Sequence, residues 1–409
     1  MNIIEIINKK KDKLELSREE LEYAFMGYLN DEIESYQMSS LLMAIVLNGM
    51  SDEETINLTD IFINSGDILD LSNIEGVKVD KHSTGGIGDK TTLIVAPIVA
   101  SLGVKICKMS GRGLGYTGGT IDKLESIPGF NVSLTEEEMI NQVNRIGIAL
   151  TGQTKNLTPL DKKIYALRDV TGTVESIPLI ASSIMSKKIA SGADKIIIDI
   201  KVGNGALIKT IEDAHHLSYL MQIIGNKYGR EVRTLTTNMN TPLGKAIGNS
   251  LEVVEAISIL RGRGKNSYLY KVCLELAANM VSMAKGISIE ESKLLVENSI
   301  ETGLAYSKFL EFINAQGGNL LDTKVSSKVV TVKSTKKGTI KNINALKVGM
   351  LSQSLGAGKE TMEDKIDYGV GVVLNKQEGD EVWVGDTLCT LYVGDKTDYL
   401  DPYECFEIE

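Results

Sequence analysis

The sequence predicts an α/β protein in which a small helical domain, made from two chain segments, packs across a cleft on a larger α/β domain with a central mixed or parallel sheet. A C-terminal β-rich (α+β) portion completes it. Three observations carry this reading. Residues 1 to 66 read as helices, and residues 158 to 192 return to a helical pattern. Between and after them, short β-leaning runs alternate with helical patterns, the mark of a parallel sheet. From about residue 327 the pattern turns β-rich. The expected division is therefore 1–66 with 158–192, 67–157 with 193–326, and 327–409.

Taken in order, Ser17-Arg18-Glu19-Glu20 has the form of a capping box at a helix start. The apolar, Met-rich run Tyr36 to Leu47 fits a helix in the core or at a dimer seam. Two glycine-rich turns follow, Lys81-His82-Ser83-Thr84-Gly85-Gly86-Ile87-Gly88 and Ser110-Gly111-Arg112-Gly113-Leu114-Gly115-Tyr116-Thr117-Gly118-Gly119-Thr120. Each comes after a β-leaning run and before a helical one, at the strand end where open parallel sheets bind ligands. Glycine lets backbone approach a ligand, and successive N–H groups at a helix start form an anion pocket. Lys81, Ser83, Thr92, Lys108, Ser110 and Thr120 add donors, so the pair reads as a phosphate cradle. Gly192 to Ile200 reads as a buried strand ending in a further glycine turn, and Glu231 to Thr237 as another strand.

Bulk properties exclude several classes. With 409 residues, 43% apolar content and a net charge of −10, the chain is built for a large core and not for nucleic acid. Its longest apolar runs, such as Leu93 to Ala100, are too short for a bilayer span, and the start lacks a leader pattern. Four cysteines without CxxC spacing argue against a zinc site or a disulfide framework. A reducing cytoplasm is the expected location.

Candidate chemistry gathers in two places. His82 lies inside the first glycine turn and is the side chain there that exchanges a proton near neutral pH, whereas His215 and His216 fall in a polar helical stretch expected at the surface. In the helical insert, Tyr165 and Arg168 share a face at i, i+3, and Ser183 and Lys187 at i, i+4, among apolar Ile180, Ile184 and Ile189. Cations on one wall and a phosphate cradle on the other suit a ligand with a planar carbonyl-bearing part and an anionic part.

The run Ser110 to Glu125 resembles the signature of the thymidine and pyrimidine-nucleoside phosphorylases. So do Lys81 to Gly86, Tyr165-Ala166-Leu167-Arg168-Asp169-Val170-Thr171, and Ser182-Ser183-Ile184-Met185-Ser186-Lys187-Lys188. Tyr116 departs from it, standing where the family often carries histidine. The resemblance implies a homodimer performing reversible phosphorolysis of pyrimidine nucleosides, with inorganic phosphate as co-substrate and no organic cofactor. It implies Arg168 and Lys187 at the base carbonyls, Ser183 at the ring edge, and His82 at O2 of the departing base. Leu114, Tyr165 and Ile180 would line the substrate, and Lys81, Ser83, Thr92, Lys108, Ser110 and Thr120 would hold phosphate. Lys108 resembles the broad branch, which accepts uridine as well as thymidine; a strict thymidine phosphorylase is the alternative. Some relatives hold a structural cation, and the matching positions here are the backbone oxygens of Gly88, Lys90, Leu243 and Ala246 with the Glu255 carboxylate. Such an oxygen set suits potassium or calcium; an unoccupied loop contact is the other reading. The rivals are an anthranilate phosphoribosyltransferase-like enzyme, which needs acidic residues for magnesium where Asp89, Asp122 and Asp199 form no obvious pair, and a non-catalytic nucleoside or anion sensor.

Overall fold

The computed structural model spans residues 1–409 and describes all of them except Leu114, Gly115, Thr117, Lys155 and Met362. The chain divides into two compact units, Met1–Asn73 with Gln153–Ile196 and Thr210–Thr234, and Ile74–Gly152 with Ile197–Lys209 and Leu235–Glu409.

The first unit is built from helices. Ser17 caps the helix Arg18–Leu29 as its sequence predicts: its hydroxyl accepts from the Glu20 N–H, and the Glu20 carboxylate accepts from the Ser17 N–H at 2.7 Å. The helix Asp52–Asn64 starts the same way from Ser51. Its Glu54 is buried and takes both carboxylate oxygens to the Lys10 ammonium, at 2.7 and 2.8 Å, so two helices far apart in sequence are tied by a paired charge. Phe25 and Phe62 meet edge to face beside Leu21, Met38, Leu41 and Leu42 in the core of this unit. The Met-rich helix Ser35–Asn48 turns Met38, Leu41, Leu42 and Ile45 inward and leaves Tyr36, Met43 and Leu47 exposed. The helix Ile211–Lys227 belongs to this unit, although its alternating context had placed it with the α/β domain.

The second unit carries most of the strand residues, with Lys195–Ile196 and Glu231–Thr234 falling in the first. β1 (Val79–Ser83), β2 (Ile106–Ser110) and β3 (Ile148–Gly152) precede the insert, and β4 (Lys195–Val202) and β5 (Glu231–Asn238) follow it. β2 and β3 pair in parallel from Ile106 opposite Ile148 to Ser110 opposite Gly152. A parallel bridge between Lys78 and Lys105 links the start of β1 to that pair, and β1, β4 and β5 form a sheet in that order. β4 is buried from Ile196 onward, including its charged Asp199 and Lys201. The helix Thr91–Ser101, between β1 and β2, is apolar all round and buried all round, as such a pattern requires.

The C-terminal part contributes β7 (Val329–Lys333), β8 (Gly338–Ile343), β9 (Gly371–Leu374), β10 (Glu381–Val382), β11 (Thr387–Tyr392) and β12 (Phe406–Ile408). It does not stand as a unit of its own. β6 (Ala246–Ile247), from the α/β region, pairs antiparallel with β9 and begins the sheet β6-β9-β11-β7, and both regions share one hydrophobic core. Among the described residues no single helix is long and apolar enough to cross a membrane.

Candidate functional site

Two helices of the first unit gather five predicted residues. Pro159 opens the helix Pro159–Asp169 and Pro178 lies in the first turn of Ile177–Ala190, where a missing N–H costs nothing. The first helix presents Tyr165 and Arg168, the second Ile180, Ser183 and Lys187. One helical turn brings the Lys187 ammonium to 2.8 Å from the Ser183 hydroxyl, and it donates across to the Asp161 carboxylate at 2.6 Å. Both cations flank the Tyr165 ring, Lys187 at 5.6 Å and the Arg168 guanidinium at 6.0 Å from its centre. The two are not solvated surface charges: Arg168 is 1% exposed and the Lys187 side chain 17%.

Arg168 has an architectural task as well. Nε donates to the Thr173 carbonyl, one Nη to Val174 at 2.6 Å and the other to Leu179, so three of the five donors of a guanidinium hold the turn between the two helices. The other two donors have no acceptor among the described residues. Burial pulls this group down to about 10, against the opposing pull of Asp161, and it is still charged at neutral pH.

In the second unit, Lys81, His82 and Ser83 end β1, Lys108 and Ser110 lie on β2, Thr92 is in the first turn of Thr91–Ser101, and Thr120 starts the helix Thr120–Glu125. His82, Ser83 and Thr120 are half-buried and the others buried. Leu114 lies outside the described residues. The lysines are not open donors awaiting an anion. Lys81 bonds the Thr91 hydroxyl and stands 3.9 Å from Asp89 and 3.8 Å from Asp199. Lys108 donates to Asp80 at 3.1 Å and to the Lys81 carbonyl.

Asp89 and Asp199, which sequence spacing did not pair, thus converge on one lysine, and Lys201 closes the group 2.6 Å from Asp199. Burial raises the Asp89 carboxyl, but Lys81, Lys201 and the hydroxyls of Ser83 and Thr91 outweigh it and hold the carboxyl well below its ordinary range. Burial likewise lowers the Lys201 ammonium, and Asp199 and Asp89 more than restore it. The result is a buried network of alternating charge beneath the first glycine turn. The second turn is braced by Asp122, whose Oδ2 accepts from the N–H groups of Gly113 at 2.6 Å and Gly119 at 3.1 Å.

The positions matched to a structural cation also come together, but around an ammonium group of the chain itself. Lys90 Nζ donates to the carbonyls of Leu243 at 2.8 Å and Ala246 at 3.0 Å and to Glu255 Oε2 at 2.9 Å. Three of the five oxygens expected to hold potassium or calcium, those of Leu243, Ala246 and Glu255, are therefore engaged by a side chain, while the Gly88 carbonyl accepts from the Lys90 N–H at 2.9 Å, and with the ammonium in place the set does not fit a metal ion.

Sequence reasoning missed Asp161, Asp80, Lys201 and the pairing of Asp89 with Asp199. Asp161 was within reach, because 161, 165 and 168 fall on one helix face at i, i+4 and i+7. The rest are separated in sequence and meet only through the sheet. His215 and His216 are exposed, as their polar helix implied.

The chain matches three family descriptions in succession: glycosyl transferase family, helical bundle domain, over residues 4–66; glycosyl transferase family, a/b domain, over 75–306; and pyrimidine nucleoside phosphorylase C-terminal domain, over 339–401. It is 51% identical over 399 residues to the pyrimidine-nucleoside phosphorylase of Staphylococcus haemolyticus, covering 96% of this chain and 92% of the relative. Identity to the enzyme of that name from Geobacillus stearothermophilus is 50% with the same coverage. The chain belongs to the pyrimidine-nucleoside phosphorylase family. Membership of that family makes it a glycosyl-transferring enzyme, and its resemblance at the signature segments extends over nearly the whole length. Among solved structures, anthranilate phosphoribosyltransferase from Thermus thermophilus superposes with a TM-score of 0.60 at 16% identity, over 76% of this chain and 99% of that one. That likeness describes the fold of the phosphorylase chain and nothing of its substrate.

Proposed function

We propose that the chain catalyses the reversible phosphorolysis of pyrimidine nucleosides, taking uridine, thymidine and deoxyuridine with inorganic phosphate and giving free base and α-(deoxy)ribose 1-phosphate. A phosphate oxygen forms the new bond to the sugar C1′, the bond from C1′ to the base breaks, and its electron pair leaves with the pyrimidine. The observation that carries this reading is the Lys187 ammonium, held between Ser183 and Asp161 beside Arg168 and Tyr165. Negative charge grows on the departing ring as the bond breaks, and fixed cationic donors at its carbonyls lower that barrier most. Lys187 and the two remaining donors of Arg168 take this role, and Ser183 fixes the ring edge. His82 hydrogen-bonds or protonates O2 of the leaving base.

Phosphate is held by the hydroxyls of Ser83, Thr92, Ser110 and Thr120, with Thr92 in the first turn of the helix Thr91–Ser101. Lys81 and Lys108 set the positive side of that pocket while remaining tied to Asp89, Asp199 and Asp80. The network leaves those carboxylates neutralised by lysines, which weighs against magnesium and pyrophosphate chemistry. A homodimer in the cytoplasm fits the reading, and the exposed Tyr36, Met43 and Leu47, recurring on one helix at i, i+7 and i+11, support association of two copies.

The test is incubation with uridine or thymidine, with and without phosphate, following free base. Release that depends on phosphate supports the proposal. Absence of release from either nucleoside, or turnover that requires magnesium and pyrophosphate instead, would overturn it.

A further inference from the structure

We propose that Lys90 is a built-in cation: its ammonium group permanently fills the oxygen cage formed by Leu243, Ala246 and Glu255, so that this protein neither binds nor needs potassium or calcium there. An ammonium has three N–H donors. Here each has an acceptor, at 2.8, 3.0 and 2.9 Å, and the side chain is wholly buried. Nothing of the donor set is left over, and a metal ion entering the cage would meet a fixed like charge at contact distance.

The backbone is shaped to the same group. Gly88 at φ +72° and Gly244 at φ +84° lie against the ammonium, where a side-chain carbon on Gly88 would come within 2.7 Å of the Leu243 carbonyl and one on Gly244 within 2.9 Å of Nζ. The Glu255 carboxylate is locked in turn by the N–H groups of Lys245 at 2.8 Å and Ala246 at 2.9 Å. One side chain therefore clamps the turn that follows β1, the loop 243–246 and the helix Asn249–Leu260. A clamp made by a free ion would fill according to ion concentration. A covalently attached ammonium has full occupancy at any salt composition, which makes the turn below the first glycine loop independent of the ionic medium.

The experiment uses the full-length protein dialysed against chelator and measures bound metal by mass spectrometry and the thermal midpoint in potassium chloride, calcium chloride or tetramethylammonium chloride at equal ionic strength. Less than a tenth of an equivalent of metal and the same midpoint in all three media are expected. About one equivalent of potassium or calcium retained per chain, or a midpoint raised only by one of those ions, overturns the proposal. Lys90→Ser opens the cage and should lower the midpoint by about 5 °C or more. Potassium or calcium, but not tetramethylammonium, should restore a good part of that loss. A Lys90→Ser protein as stable as the parent without added metal overturns the proposal, and if the variant does not fold, the parent's metal content and midpoints still decide it.

Discussion

Asp161 and Lys187 form a 2.6 Å ion pair between two neighbouring helices, with the second carboxylate oxygen of Asp161 buried and without a hydrogen-bond partner among the described residues. The pair fixes the Lys187 ammonium against Ser183 rather than letting it reach solvent. A donor that stabilises a leaving group must already be aimed when charge develops, because reorientation at that moment consumes the gain. On the proposed mechanism Asp161 is thus a positioning residue. Asp161→Asn keeps the shape and one hydrogen bond but removes the charge that holds the lysine. The expected result is a fall in kcat of about 10²-fold with the KM for phosphate unchanged, read from steady-state kinetics in both substrates. Equal losses in kcat and in phosphate affinity would point to a general distortion instead.

Removal of the lysine itself should be the more severe change. Lys187→Ala deletes a charged donor and should lower kcat on the order of 10²–10³-fold, again with phosphate binding nearly intact. Near-normal turnover in this variant would take Lys187 out of the mechanism.

Arg168 predicts a different signature, since its guanidinium both faces Tyr165 and holds the turn at residues 173, 174 and 179. A lysine retains the charge but not the planar fork, so at least one buried carbonyl loses its partner. Arg168→Lys should therefore lower both the thermal midpoint, by several degrees, and kcat, two separate effects of one change. Calorimetry alongside kinetics separates the two. Arg168→Lys with parental stability would show that the carbonyl contacts carry little weight.

These residues also show how far the sequence could be read. Local rules worked where the cause is local: the Ser17 capping box, the i, i+4 contact of Ser183 with Lys187, and the all-apolar helix after β1 follow from spacing alone. The β-rich character of the C-terminal part was equally visible, but its merger with the second unit was not, because β6 is two residues long and is defined by its partner β9. The buried Lys81, Asp89, Asp199 and Lys201 network joins β1, its following turn and β4, and nothing in the spacing of those residues announces it. Lys90 is the sharpest case. Its backbone carbonyl position matched a cation ligand, and only the path of its side chain, 165 residues in sequence from Glu255, reveals that three of the five ligands are already engaged.

The same contact makes a prediction about acid stability. Burial pushes the Glu255 carboxyl up, yet the Lys90 ammonium and the N–H groups of Lys245 and Ala246 outweigh burial and hold it below its ordinary value of 4.5. A carboxyl whose folded value is depressed binds protons more readily in the unfolded chain, so its contribution is fully present above that ordinary value and is lost as pH falls toward and through the folded one. Glu255→Gln cannot titrate and leaves Lys90 buried without its counter-charge. The variant should have a lower thermal midpoint than the parent at pH 7. Below about pH 4.5 the parent should lose stability more steeply than the variant, and the two curves of midpoint against pH should draw together. Curves that stay parallel through the acid range would mean that Glu255 is not held by Lys90 in solution.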